Sequence, residues 1–150
     1  MEAGGRLVLD EAPLIVAAGA DVERTMTLTL GIGAVAALRE TVILGRDGER
    51  PGRLSSSLRA TLGGRPLLHD GLRLSDGDAH VALPSGDRVL TTICLLGLRP
   101  EPEPGVLALE GPGALSRFSG TSLAGVDAAL GDGWDRWSLR AQPREPVAAV

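Results

Sequence analysis

Lysine and tyrosine are absent from this chain of 150 residues, cysteine occurs once, histidine twice, and aromatic residues make up 2% of the total. Each shortage excludes something. The single Cys94 cannot close an intramolecular disulfide, so the fold does not need an oxidising compartment. With so few aromatics, the core has to be built from Leu, Val, Ile and Ala. No apolar run approaches the ~20 residues that a membrane helix requires. The start, Met1-Glu2-Ala3-Gly4-Gly5, lacks the basic-then-apolar pattern of a secretory signal, and a cytoplasmic location is the expectation. A net charge of −4 and a pI near 5.1 argue against nucleic-acid binding, which needs a basic face to displace counterions. The 15 basic residues are all Arg, a bias of GC-rich coding that carries no mechanism.

What is present is a globular composition, with 43% hydrophobic residues and a mean hydropathy of +0.13. The length suits one domain able to bury roughly two-thirds of its unfolded surface. Twenty-one glycines and ten prolines promise many turns. Strand patterns dominate the first two-thirds. Arg24 to Leu30 alternates strictly, with Met26, Leu28 and Leu30 on one face and Thr25, Thr27 and Thr29 on the other. Leu54, Ser56, Leu58, Ala60 and Leu62 repeat the pattern. Gly63-Gly64 follows, a pair that accepts positive φ at both central positions of a tight hairpin, and Arg65 to Leu74 reads as the returning strand. Further strands are expected at Leu7–Leu9, Leu14–Ala17, Ala36–Leu44, His80–Leu83, Val89–Leu96 and Val106–Leu109. Turns separate them at Gly31-Ile32-Gly33, Asp47-Gly48, Ser75-Asp76-Gly77 and Pro84 to Asp87.

The composition shifts at Arg99 to Pro104, where three prolines predict an extended connector. Beyond the strand at Val106 the chain reads as helical. Pro112 suits the first turn of one helix running through Leu115 and Phe118. Ser122 suits the cap of a second, with Leu123, Val126 and Leu130 on one face and Trp134 and Trp137 continuing it. Residues 142–150, with Pro143 and Pro146, read as a disordered tail after a domain spanning 1–141.

Motifs for chemistry are sparse. No serine lies in a Gly-x-Ser-x-Gly elbow, and His69 and His80 read as ordinary strand or surface histidines. The glycine turns lack Walker spacing and the lysine. Cys94, His69 and His80 are too dispersed for a zinc signature, and Cys94 reads as a small buried hydrophobe. Glu40 is the odd residue, a carboxylate inside the apolar run Ala36–Leu44. It belongs either on a wet face or buried and paired. After it, Gly45-Arg46-Asp47-Gly48-Glu49 forms a tight turn that an Arg46–Glu49 pair could lock, worth only ~0–1 kcal/mol if exposed.

This segment resembles the UreD (UreH) family of urease accessory proteins. The family pattern is an acid, a short apolar run, Leu-Gly-Arg and then Gly-Glu; here it reads Glu40, Leu44-Gly45-Arg46 and Gly48-Glu49. A strand of small residues follows at Arg53 to Leu58, then Pro66-Leu67-Leu68-His69-Asp70. Upstream, Glu11-Ala12-Pro13 to Asp21 is similar to the family's proline-containing strand and turn, and Asp135 to Arg140 to its closing Trp segment. The similarity covers the second half of the family's length. It implies that the chain is a fragment or a short member, with an open sheet edge on its N-terminal side.

The resemblance implies a mainly β fold, either a β-helix-like solenoid or stacked β-sheets with short C-terminal helices. It implies a scaffold and not an enzyme, one that binds UreF, UreG and apo-urease subunits during nickel insertion. No tightly bound cofactor is expected, only transient Ni²⁺. Glu40 and Asp70 match acidic positions associated with a nickel path, while Gly45, Arg46, Gly48 and Glu49 are turn architecture. Phe118, Trp134 and Trp137 are either partner surface or core. From the residues alone, a generic β-rich binding module without a metal role stays open. So does a small hydrolase using an Asp/Glu pair, against which the lack of aromatics counts.

Overall fold

Between residues 14 and 62 the chain passes back and forth between two sheets that lie face to face. The computed structural model describes residues 1–75, 83–84 and 86–143. Its strands are β1 (Arg6–Asp10), β2 (Leu14–Val16), β3 (Asp21–Leu30), β4 (Val35–Leu44), β5 (Arg53–Leu62), β6 (Arg65–Leu74), β7 (Val89–Leu96), β8 (Val106–Ala108) and β9 (Gly113–Gly120). Two helices follow, α1 (Leu123–Leu130) and α2 (Gly133–Ala141). The large sheet has the order β1-β4-β7-β9-β8, with β2 also beside β4; the small sheet is β3-β5-β6. Pairing is parallel for β1–β4, β2–β4 and β3–β5 and antiparallel elsewhere. The chain is therefore mainly β, with stacked sheets and short C-terminal helices. Parallel pairing is confined to its first five strands.

Burial explains which segments alternate and which do not. Among the described residues the small sheet is covered on one face only, so β3 buries Leu28 and Leu30 and exposes its threonines. The large sheet is covered on both faces, so β7 is apolar almost throughout. In β4, Ala36, Leu38, Val42 and Leu44 face the small sheet, while Val35 and Ala37 face the helices. The β5–β6 hairpin turns at Gly63 and Gly64, with φ of 56° and 80°, the conformation expected of that pair.

One expectation fails. Gly113–Gly120 is a strand between β7 and β8, not a helix. The cues for a helix were Pro112 and an apolar pair three apart, Leu115 and Phe118. A proline precedes strands as readily, and the ladder to β7 overrides so weak a periodicity. Here Leu115 and Phe118 point to opposite faces. Ser122 does cap α1, its Oγ accepting from the Gly125 N–H at 3.1 Å. Phe118, Trp134 and Trp137 pack on the outer face of the large sheet with Leu130 and Ala141, so they are core and not partner surface. The expected strand at His80–Leu83 lies outside the described residues except for Leu83, which is buried. Of the expected tail, Gln142 and Pro143 follow the end of α2, and the rest lies outside the described residues. The N-terminal edge strands, β1 with β2 and β3, each pair on one side only among the described residues.

The helical layer yields a prediction. Trp137 is 3% exposed and Leu139, two residues on, is 64% exposed. Trp137→Ala is expected to cost about 3–5 kcal/mol in urea unfolding followed by circular dichroism. Leu139→Ala should stay within about 0.5 kcal/mol.

A charged seam between the sheets as candidate functional site

Period-two geometry sends alternate residues of each strand into the space between the sheets. In β4 that set includes Glu40; in β6 it includes Asp70, which lies opposite the buried Leu58. The same parity brings Arg24 from β3, Ser56 from β5, Thr92 from β7 and Arg117 from β9 into one layer, since Arg24 pairs with Ser56 and Thr92 stands between Glu40 and Arg117. Glu11, in the connection after β1, completes it. Glu40 is thus neither on a wet face nor alone. It is half-buried between the sheets and paired.

Two arginines, in three ion pairs, organise the seam. Arg24 bridges Glu11 and Glu40, with its Nη1 2.9 Å from Glu40 Oε1. Ser56 Oγ also donates to Glu40, at 3.5 Å. Arg117 holds Asp70 at 2.5 Å through Nη2 and donates to Thr92 Oγ1 at 3.0 Å through Nε. Cavities of about 20 and 10 Å³ lie along the layer, and both are lined by Glu40, Leu58, Asp70 and Thr92. The larger has room for about one water molecule among polar partners. Burial pushes the Glu40 carboxyl above its ordinary value of 4.5; Arg24 opposes this, while Glu11 and Asp70 add to it. Cys94 lines the smaller cavity, and burial pushes its thiol up to about 12, so it behaves as the small hydrophobe expected.

The turn after β4 is built differently from the expected Arg–Glu pair. The Glu49 carboxylate accepts from the backbone N–H of Arg46 at 3.3 Å and of Ala18 at 3.5 Å. Arg88, not Arg46, supplies the guanidinium, reaching Asp47 at 3.0 Å and the Gly45 carbonyl at 2.8 Å. Gly45 and Gly48 have φ of 71° and 72°. A Cβ on Gly45 would stand 2.7 Å from the Glu49 carbonyl oxygen, so Gly45 is required for close approach as well as conformation. His69 is exposed on the opposite face of β6 from Asp70, and His80 lies outside the described residues. The structure therefore joins Glu40 and Asp70 and leaves the Gly45–Glu49 turn outside both cavities.

Sequence reasoning missed Glu11, Arg24, Ser56, Thr92 and Arg117. Arg24 was detectable, because it shares the inward parity of Met26, Leu28 and Leu30. Arg117 was hidden by the helical reading of its segment.

Among the described residues no three His, Cys, Asp or Glu side chains converge as a metal-holding group, and no helix is long and apolar enough to cross a membrane. The fold and seam define a mainly β protein of two stacked sheets with a charge-paired layer between them. The family model described as UreD urease accessory protein matches residues 1–146, and the chain belongs to that family. It is 41% identical to urease accessory protein UreD 1 of Streptomyces griseus over 140 residues, 90% of this chain and 54% of that protein. Urease accessory protein UreD of Streptomyces avermitilis is 34% identical over 135 residues, 87% of this chain and 53% of that protein. The UreD of Cereibacter sphaeroides is 37% identical over 134 residues. The chain spans about half the length of the curated relatives it matches.

The pKa of Glu40 sets a pH dependence. Its folded value lies above that of the unfolded chain, so folding takes up a proton. The stability this contributes is present at acid pH and lost as pH rises through and above 4.5. Glu40→Gln removes the ionisation. The unfolding free energy of the variant, relative to wild type, should therefore rise between about pH 4 and about pH 7. A difference that stays flat across that range would contradict a carboxylate partly desolvated between the sheets.

Proposed function

We propose that this chain serves urease maturation as a non-catalytic cytoplasmic scaffold, binding UreF, UreG and apo-urease subunits and passing Ni²⁺ along the seam between its sheets. Family membership supports the role in maturation. The single observation behind the passage is that Glu40 and Asp70, on facing sheets, line the same polar cavities. The alternation of β2 to β5 between the sheets is read as two turns of the coil expected of the family.

The donor chemistry fits a conduit better than a store. Carboxylates, hydroxyls and water hold nickel less tightly than an imidazole or thiolate cage. A passage needs sites that admit the ion and also release it. Arg24 and Arg117 neutralise the carboxylates at rest, so the seam stays folded without a metal. An incoming cation must compete with guanidiniums for Glu40 and Asp70, which shortens its stay at either.

Co-expression with urease and its other accessory genes, in a host without its own UreD, tests this reading. Glu40→Ala and Asp70→Ala are each expected to lower nickel-dependent urease activity several-fold while UreF is still pulled down with the chain. Full activity in both variants removes the passage. Loss of UreF binding by the wild-type chain removes the scaffold.

A further inference from the structure

The two sheets differ in what covers their outer faces. Helices cover the large sheet; among the described residues, no element covers the outer face of the small sheet. That face carries threonines from β3, Ser55, Ser57 and Arg59 from β5, and His69, Gly71 and Arg73 from β6. A solvated polar face is the ordinary fate of a three-stranded sheet. Three observations take this one further.

The first is a trough of about 590 Å³ crossing the strands. Its floor is the cross-strand row Thr25–Ser57–Gly71. Arg59, opposite His69, stands on one bank. Arg73, opposite Ser55, stands on the other. Arg59 and Ser55 are four residues apart on β5, so the banks are about 13 Å apart at the backbone, within the combined reach of two arginine side chains.

The second is charge. Arg59 and Arg73 are among the described arginines that form no ion pair, unlike Arg24 and Arg117 on the inner side of the sheets. Glu23 is the one unpaired carboxylate on this face, at the far end of the row from Arg73. Glu23 also lines the trough, so its two unpaired guanidiniums exceed its one unpaired carboxylate by a single charge, on a chain of net charge −4.

The third is at the floor. Ser57 Oγ is buried without a hydrogen-bond partner. Beside it, Gly71 needs no special backbone conformation, and a Cβ there would meet nothing nearer than 4.0 Å. Packing does not require a glycine in mid-strand, where it normally costs stability. Its effect is to keep the floor open.

We propose that the outer face of the small sheet is a docking surface for an acidic polypeptide segment of a partner protein. Arg59 and Arg73 take its carboxylates from either bank. Guanidiniums suit this because each offers a planar fork matched to a carboxylate. The charge complementarity selects an acidic partner, and the proposal stands apart from the nickel passage on the other side of β5.

Fluorescence anisotropy of a labelled poly-glutamate peptide, titrated with the whole chain, tests it. Poly-glutamate should bind and poly-lysine should not. The double variant Arg59→Glu, Arg73→Glu should weaken binding roughly ten-fold or more. Gly71→Val fills the trough and should weaken binding equally while leaving the unfolding midpoint unchanged or raised, which separates occlusion from misfolding. Unchanged affinity in either variant overturns the proposal. So does displacement of the peptide by an equal concentration of inorganic phosphate, which marks a small-anion site.

Discussion

Everything in this molecule is arranged around β4, a strand with packed layers on both sides. It hydrogen-bonds to β1, β2 and β7, faces the small sheet with its even-numbered residues and the helices with several of its odd-numbered ones. A strand in that position has no wet face, so each polar side chain on it needs an internal partner. Thr41 meets Thr91 at 2.9 Å. Arg39 leaves the helix side to reach Asp127 at 2.6 Å, tying the sheet to α1. Glu40 has no such exit, and the charged seam is the consequence.

Charges between two sheets are costly to desolvate, and pairing rarely returns the full cost. The seam softens this in two ways. Its side chains retain about a fifth to a third of their exposure, so water still reaches them. The opposite charges also come from different strands. Arg24 of β3 meets Glu40 of β4, and Asp70 of β6 meets Arg117 of β9, so each pair ties the two sheets together. Apolar clusters lie on either side along the strands, one around Leu28, Leu30 and Leu96, the other around Val16, Leu54 and Leu74. The sheets are thus held apolar above and below, with a polar layer across the middle.

Much of the fold was legible because local rules and tertiary demand agreed. Strict alternation in Arg24–Leu30 and Leu54–Leu62 correctly marked strands with one dry face, and Gly63-Gly64 fixed the hairpin between β5 and β6. Gly113–Gly120 was not legible, because nothing local outweighs a proline and an apolar pair that happen to sit at helical spacing. The candidate site was half legible. Glu40 was conspicuous as a carboxylate in an apolar run, and Asp70 came through family resemblance. Of their partners, Arg24 carried a signal in sharing the parity of an apolar face, whereas Arg117 was silent in a segment that reads as helix.

By itself, the sequence determined the class of fold, the turns, the aliphatic core and the family, since these rest on periodicity, on φ values open chiefly to glycine and on ordered motifs. The tertiary structure alone decided which sheet each strand joins, and hence that Glu11, Arg24, Glu40, Asp70 and Arg117 share one interior layer while Arg59 and Arg73 share an outer one. The reason is that parity along a strand assigns a side chain to one of two faces, but only the pairing of distant strands determines what that face meets.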